Sequence, residues 1–144
     1  MTGSILGFSA TAVYLAVWVY LLAQVRRDPQ FNHWSLQAAA AVAIGLHGAT
    51  LAGLLFIDGG LDLSLLKVFA LSALVINSLV WISGMKKPLH TLYLFLFPIS
   101  AISLAAAVMS LNSTLVLLES FNIQAHILIS ILAYSLLAIA ALQA

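Results

Sequence analysis

Five unbroken apolar runs, each about twenty residues long, decide what solvent this chain can fold in. They fall at Ile5–Val25, Leu36–Ile57, Leu65–Gly84, Leu89–Met109 and Gln124–Ala144. At about 1.5 Å of rise per residue, a helix over each run is long enough to cross the roughly 30 Å hydrocarbon layer of a bilayer. Inside lipid every backbone amide needs a partner within the protein, which leaves helices or a closed barrel. The runs are continuous rather than alternating, and that pattern excludes a barrel. The predicted fold class is all-α: a polytopic membrane helix bundle of five transmembrane helices, forming a single transmembrane domain over residues 1–144.

Composition agrees with a lipid solvent. The chain is 64% hydrophobic and 6% charged, with mean hydropathy +1.16, where a soluble domain carries about a quarter charged residues. A net charge of +1 gives no electrostatic footprint for nucleic acid. With no cysteines, the chain alone has no disulfide, no CxxC redox motif, no c-type haem attachment and no iron–sulfur ligation. The first apolar run is read as a retained helix rather than a signal peptide. It lacks a basic leader, and it is followed by Arg26-Arg27-Asp28-Pro29 instead of a small-residue cleavage site.

Polar breaks set the connections and the orientation. Arg26 and Arg27 lie in the first break, Lys86 and Lys87 in the third, and Lys67 sits near the second. The positive-inside rule then places the first and third loops in the cytoplasm and the N-terminus on the outer, periplasmic side. Trp18, Tyr20, Trp34 and Trp81 fall near the predicted cytoplasmic ends, where an interfacial aromatic belt belongs. Asp62 or Ser64 is suited to capping the third helix, and Pro88 to starting the fourth. The longest break, Asn112–Asn122, contains Leu115–Leu118, expected to lie as a short interfacial helix. No closing loop or basic flank follows the last run. The chain therefore reads as the front part of something longer, with a homo-oligomer as the other way to complete the bundle.

Walker, GxSxG, HExxH and Rossmann patterns are all missing from the sequence. Chemistry, if any, resides in the few polar groups at membrane depth, which are costly to place there. His47 lies near the middle of the second run, about 15 Å from its outer end. A neutral imidazole at that depth either bonds a neighbouring helix, with Asn77 a candidate partner, or serves as an axial metal ligand. Ala41, Gly45, Ala49 and Gly53 form a small-residue stripe on the opposite face, suited to close helix packing. His126, Ser130 and Tyr134 recur at i, i+4 and i+8 on one face of the fifth run, lining a cavity or bonding a neighbouring helix. Lys67 either meets a propionate or phosphate, snorkels to the surface, or pairs with Asp62. His33 and His90 read as solvated interfacial histidines, and mid-membrane Asn77 as helix glue. His47 is deep and His126 shallow, at heights differing by about 10 Å. Opposed axial nitrogens on one iron lie only about 4 Å apart. Two separate sites, each completed elsewhere, are the easier geometry.

Several stretches resemble the cytochrome c assembly transmembrane family. They are Leu46-His47-Gly48, the loop Asp58-Gly59-Gly60 with Leu63-Ser64-Leu65-Leu66-Lys67-Val68, and above all Ala125-His126-Ile127-Leu128-Ile129-Ser130-Ile131-Leu132-Ala133-Tyr134-Ser135 and on to Leu142. The resemblance is to the HemX/YpjD-like branch, related to the CcsA/CcmC haem-handling proteins. It implies a complete bundle of about eight helices in the cytoplasmic (inner) membrane, haem as cofactor, and other cytochrome c maturation proteins as partners. It also implies that His47 matches a membrane-site histidine and His126 an outer-site one, as candidate haem iron ligands, with Lys67, Ser130 and Tyr134 as further binding residues. The tryptophan-rich WWD segment of the haem lyase branch is missing from the chain. The resemblance therefore implies an accessory factor rather than an enzyme. Two other classes stay open on the residues alone: a haem-b anchor subunit of a respiratory complex, and a transporter or structural subunit without haem.

Overall fold

A computed structural model describes residues 2–27, 33–57, 60–85, 89–110, 117–118 and 121–143. Its helices are α1 (Thr2–Arg27), α2 (His33–Leu55), α3 (Leu65–Gly84), α4 (His90–Met109) and α5 (Phe121–Gln143). All five are long and apolar enough to cross a membrane. The bundle is all-α in its spanning part, as the apolar runs predict. Three short strands, which hydropathy did not suggest, lie at one end: β1 (Phe56–Ile57), β2 (Gly60–Asp62) and β3 (Leu117–Leu118). They form one antiparallel sheet in the order β1-β2-β3, with Phe56 opposite Leu61 and Asp62 opposite Leu117. Leu117–Leu118 is thus strand where an interfacial helix was expected, because its backbone pairs with β2 instead of with itself. Helix α5 also starts earlier than expected, at Phe121. Residues 86–88, and with them Pro88, lie outside the described residues.

Helices α1 to α4 form a ring in which α1 packs on α2 and α4, and α3 packs on the same two. Helix α5 stands outside the ring, chiefly against α3. Lipid tails are as apolar as leucine, so helices in a bilayer associate through close packing and hydrogen bonds rather than through escape from water. Two apolar clusters do the packing. One joins Tyr14, Leu21, Leu36, Val80 and Phe97, and the other, nearer the sheet, joins Ala10, Leu51, Leu63, Leu104 and Val108.

Between and around the clusters, hydroxyl side chains return their protons to the helix that carries them. Thr50 donates to the Leu46 carbonyl at 2.8 Å, Ser72 to Val68 at 2.9 Å, and Ser135 to Ile131 at 2.7 Å. This i−4 back-bonding lets a hydroxyl sit in lipid without an orphaned donor. At Gly7 the packing is tightest. A Cβ there would overlap Val108 Cγ2 on α4 and lie 3.1 Å from Thr50 Cγ2 on α2. Gly7→Ala is expected to lower stability by about 1–3 kcal/mol through overpacking, and Val108→Ala to relieve most of that loss. Thermal unfolding of the three variants in detergent measures both effects.

Proline inside a helix removes an amide proton and leaves the carbonyl four residues back without its donor. In α4 that proline is Pro98 and the carbonyl belongs to Leu94. Trp18 of α1 fills the gap: its indole Nε1–H donates to the Leu94 oxygen at 2.9 Å. Trp81 of α3 likewise turns inward and donates to the Gln37 carbonyl at 3.0 Å. Two of the four aromatics assigned to the belt thus also hold neighbouring helices, while Trp34 is 71% exposed and Tyr20 44%.

Candidate functional site

His47 is fully buried in the ring. Its Nδ1 lies 3.1 Å from the Tyr14 hydroxyl of α1, and the two rings meet edge-on with centroids 5.6 Å apart. Tyr14 is itself fully buried and makes a second edge contact with Phe97 of α4, at 5.3 Å. The other imidazole nitrogen, Nε2, is buried and has no partner in hydrogen-bond geometry among the described residues. The Ala70 backbone of α3 lies alongside the ring. One face of α2 therefore carries an imidazole held through Nδ1, with the Ala70 backbone as a further polar neighbour of the ring.

The expected partner, Asn77, is engaged elsewhere. Its amide Nδ2 donates to the Ala73 carbonyl at 2.8 Å and to the Ser100 hydroxyl of α4. It is the interhelical glue foreseen for it, but not to His47. The small-residue stripe also faces the other way from expectation. Gly45, Ala49 and Gly53 are exposed, and a Cβ at Gly45 or Gly53 would meet nothing within 4 Å. His47 takes the packed face because an imidazole needs a partner and alanine or glycine needs none. Close approach is supplied instead by Gly7, whose neighbours come from α2 and α4 and carry no signal in the sequence.

On α5 the i, i+4, i+8 stripe turns mostly away from the ring. His126 is exposed, Tyr134 is 72% exposed, and Ser130 is half-buried. The face that docks on α3 is carried by Ile131 and Ser135. His47 is sealed within α1–α4 while His126 lies on the surface of an outer helix, so the structure does not bring the two histidines together in one pocket. No three or more His, Cys, Asp or Glu side chains converge to a metal-binding set among the described residues.

Lys67 pairs with Asp62, and it neither snorkels nor stands open to a ligand. The side chains are 6% and 1% exposed, and the Asp62 Oδ2 accepts from the Lys67 ammonium. The other carboxylate oxygen accepts the Ser64 backbone N–H at 3.1 Å. Burial alone would raise the Asp62 carboxyl. The hydrogen bonds and charge of Lys67, together with Ser64, outweigh it and hold the group below the usual carboxylate range. Ser64 occupies the N-cap position of α3, but its hydroxyl makes no capping bond.

Sequence reasoning missed Tyr14 and Gln37. Tyr14 sits 33 residues before His47 and meets it only through the packing of α1 on α2. Gln37 is 4% exposed and accepts from the Tyr93 hydroxyl of α4 at 3.2 Å, joining α2 to α4 as Trp81 joins it to α3. A glutamine within an apolar run was the available signal for that second node. Comparison of the chain with protein-family models, curated proteins and solved structures finds no match.

Proposed function

We propose that this polytopic membrane protein handles haem as an accessory factor in cytochrome c assembly, with His47 and His126 serving two separate sites. The observation that carries the reading is the buried Nε2 of His47, which meets no partner in hydrogen-bond geometry among the described residues. Asn77 Oδ1 and Gln37 Nε2 are likewise buried without a partner among the described residues, but an imidazole nitrogen, unlike an amide, is a common axial metal ligand. A histidine that ligates a metal uses one nitrogen for the metal and the other for a partner that orients it. Tyr14 stands beside Nδ1 where such an orienting partner would be needed.

The fit to haem rests on that donor atom. Haem bound there would supply an iron in need of axial nitrogen ligands, and His47 would offer one of them. His47 is wholly enclosed, so a planar macrocycle reaches Nε2 only if a neighbouring helix yields. His126 needs no such movement, being exposed on α5. Its position suits the outer-face role that the family resemblance implies, with the N-terminus extracytoplasmic and the membrane the bacterial inner one. Tyr134 and Ser130 share its side of α5 in whole or in part, as hydrogen-bonding neighbours for a ligand on the outside of the bundle. Lys67, the remaining residue the resemblance implies, is paired with Asp62.

A second reading is favoured by the Tyr14–His47 bond itself, which joins α1 to α2 as the Asn77–Ser100 bond joins α3 to α4. On that reading the polar groups only hold the bundle together. Haemin titration into the full chain in detergent separates the two. The haem reading expects a Soret band that His47→Ala or His126→Ala diminishes while the helical circular dichroism signal persists. A chain that shows no band sensitive to either substitution is a packing subunit, and the haem proposal falls.

A further inference from the structure

The Tyr14 hydroxyl lies 3.1 Å from His47 Nδ1, and a phenol can act on that nitrogen in either sense. As a donor, the hydroxyl gives its proton to Nδ1, and the ring proton then resides on Nε2. As an acceptor, it receives an Nδ1–H, and Nε2 is left with a bare lone pair. Both forms are neutral, each with one ring proton, and both fit the same heavy-atom positions. Only the second can bind a metal through Nε2.

We propose that Tyr14 is a positioning residue whose hydroxyl selects the tautomer of His47, and so decides whether Nε2 presents a proton or a lone pair inside the bundle. The hydroxyl is placed independently of His47, since the Tyr14 ring is fully buried and braced edge-on by Phe97 at 5.3 Å. Without a ligand the donating sense is favoured. It gives the phenol proton an acceptor and leaves the ring proton on Nε2, with the Ala70 backbone a further polar neighbour of the imidazole. Among the described residues no acceptor meets Nε2 in strict hydrogen-bond geometry. Were Nε2 to serve as a metal ligand, the ring proton would have to sit on Nδ1, where the tyrosine oxygen would accept it. The second half of this inference rests on the haem reading, whereas tautomer selection in the ligand-free chain stands on the Tyr14 contact alone.

Histidine-selective ¹⁵N NMR of the full chain in detergent tests it, with the His47 signals identified by their loss in His47→Gln. The wild-type chain is expected to show Nε2 protonated and Nδ1 as a hydrogen-bonded acceptor. Tyr14→Phe keeps the ring and its Phe97 contact, and it should move the Nδ1 resonance by several ppm toward that of an unbonded nitrogen. Identical His47 resonances in the two proteins overturn the inference. Haemin titration of the same samples is the second arm. Loss of an orienting partner typically weakens metal binding about 10–100-fold, so Tyr14→Phe should weaken haemin binding by that order and lower the iron–histidine stretching frequency of the reduced form. A ¹⁵N shift without haemin binding in any variant sustains tautomer selection and sinks the haem reading. Haemin binding that needs His47 but is indifferent to Tyr14 in both measurements does the reverse.

Discussion

Asp62→Ala is expected to destabilise the folded chain by about 3–5 kcal/mol, the cost of leaving one member of a buried ion pair without its counter-charge. The Asp62 and Lys67 side chains are 1% and 6% exposed, so the substitution leaves a covered ammonium without its counter-charge. The substitution also removes the acceptor of the Ser64 N–H, at the residue where β2 hands over to α3. The same logic predicts partial recovery. In an Asp62→Leu, Lys67→Met double variant neither charge remains, and replacing a buried pair by apolar side chains of similar volume is often neutral. Unfolding in detergent should therefore rank the proteins as wild type near the double variant, with Asp62→Ala far below both. The pH dependence follows from the direction of the Asp62 shift. A carboxyl whose folded value lies below its unfolded one stabilises the fold above the unfolded value, about 3.9, and that contribution fades as pH falls through the lowered folded value. Wild type should lose melting temperature on acidification through that window, and Asp62→Asn should lose less.

Trp18→Phe carries the second large effect. The indole removed is the donor that meets the Leu94 carbonyl freed by Pro98, and phenylalanine keeps one aromatic ring while deleting the pyrrole part with its N–H. A buried carbonyl without a donor costs about 1–3 kcal/mol, and lipid provides no water to replace the bond. Pro98→Ala restores the helical amide proton that Leu94 lacks. In that background Trp18→Phe should cost much less, and the difference between the two costs is the coupling energy of the pair. Equal costs in both backgrounds would mean that the tryptophan acts through packing alone. The pairing explains how a proline is tolerated in the interior of a spanning helix.

What was legible in the sequence was local. Hydropathy is a property of consecutive residues, and so the apolar run Leu65–Gly84 coincides with α3, and the other four spans differ from their helices by a few residues at the ends. Burial of His47 was legible for a related reason: the cost of an imidazole at depth needs no knowledge of neighbours. The partner was not. Which side chain reaches Nδ1 depends on the rotation of α1 about its axis and on its crossing with α2, and neither is written in a run of alanines and leucines. The stripe of Ala41, Gly45, Ala49 and Gly53 illustrates the difficulty. Its period marks one face of α2, yet the face chosen for burial is the one that holds His47 and Thr50. The His126, Ser130, Tyr134 series was read correctly as a series, but its direction depended on α5 docking through Ile131 and Ser135. Pro98 and Trp18 are 80 residues apart, and their relation needs α1 against α4. The strands were missed because two- and three-residue pairings carry too little pattern to be seen against leucine-rich helices.

The claim beneath all of this is that α2 crosses the bilayer with His47 sealed inside the bundle. The chain has no cysteine, so a single introduced one reports alone. Labelling of intact vesicles and of permeabilised ones with a membrane-impermeant maleimide should modify Gly60→Cys, in the sheet at one end, and Met85→Cys, after α3 at the other, from opposite sides. His47→Cys should stay unmodified in both preparations until detergent unfolds the protein. Modification of His47→Cys at a rate matching Gly60→Cys in intact vesicles would contradict the account.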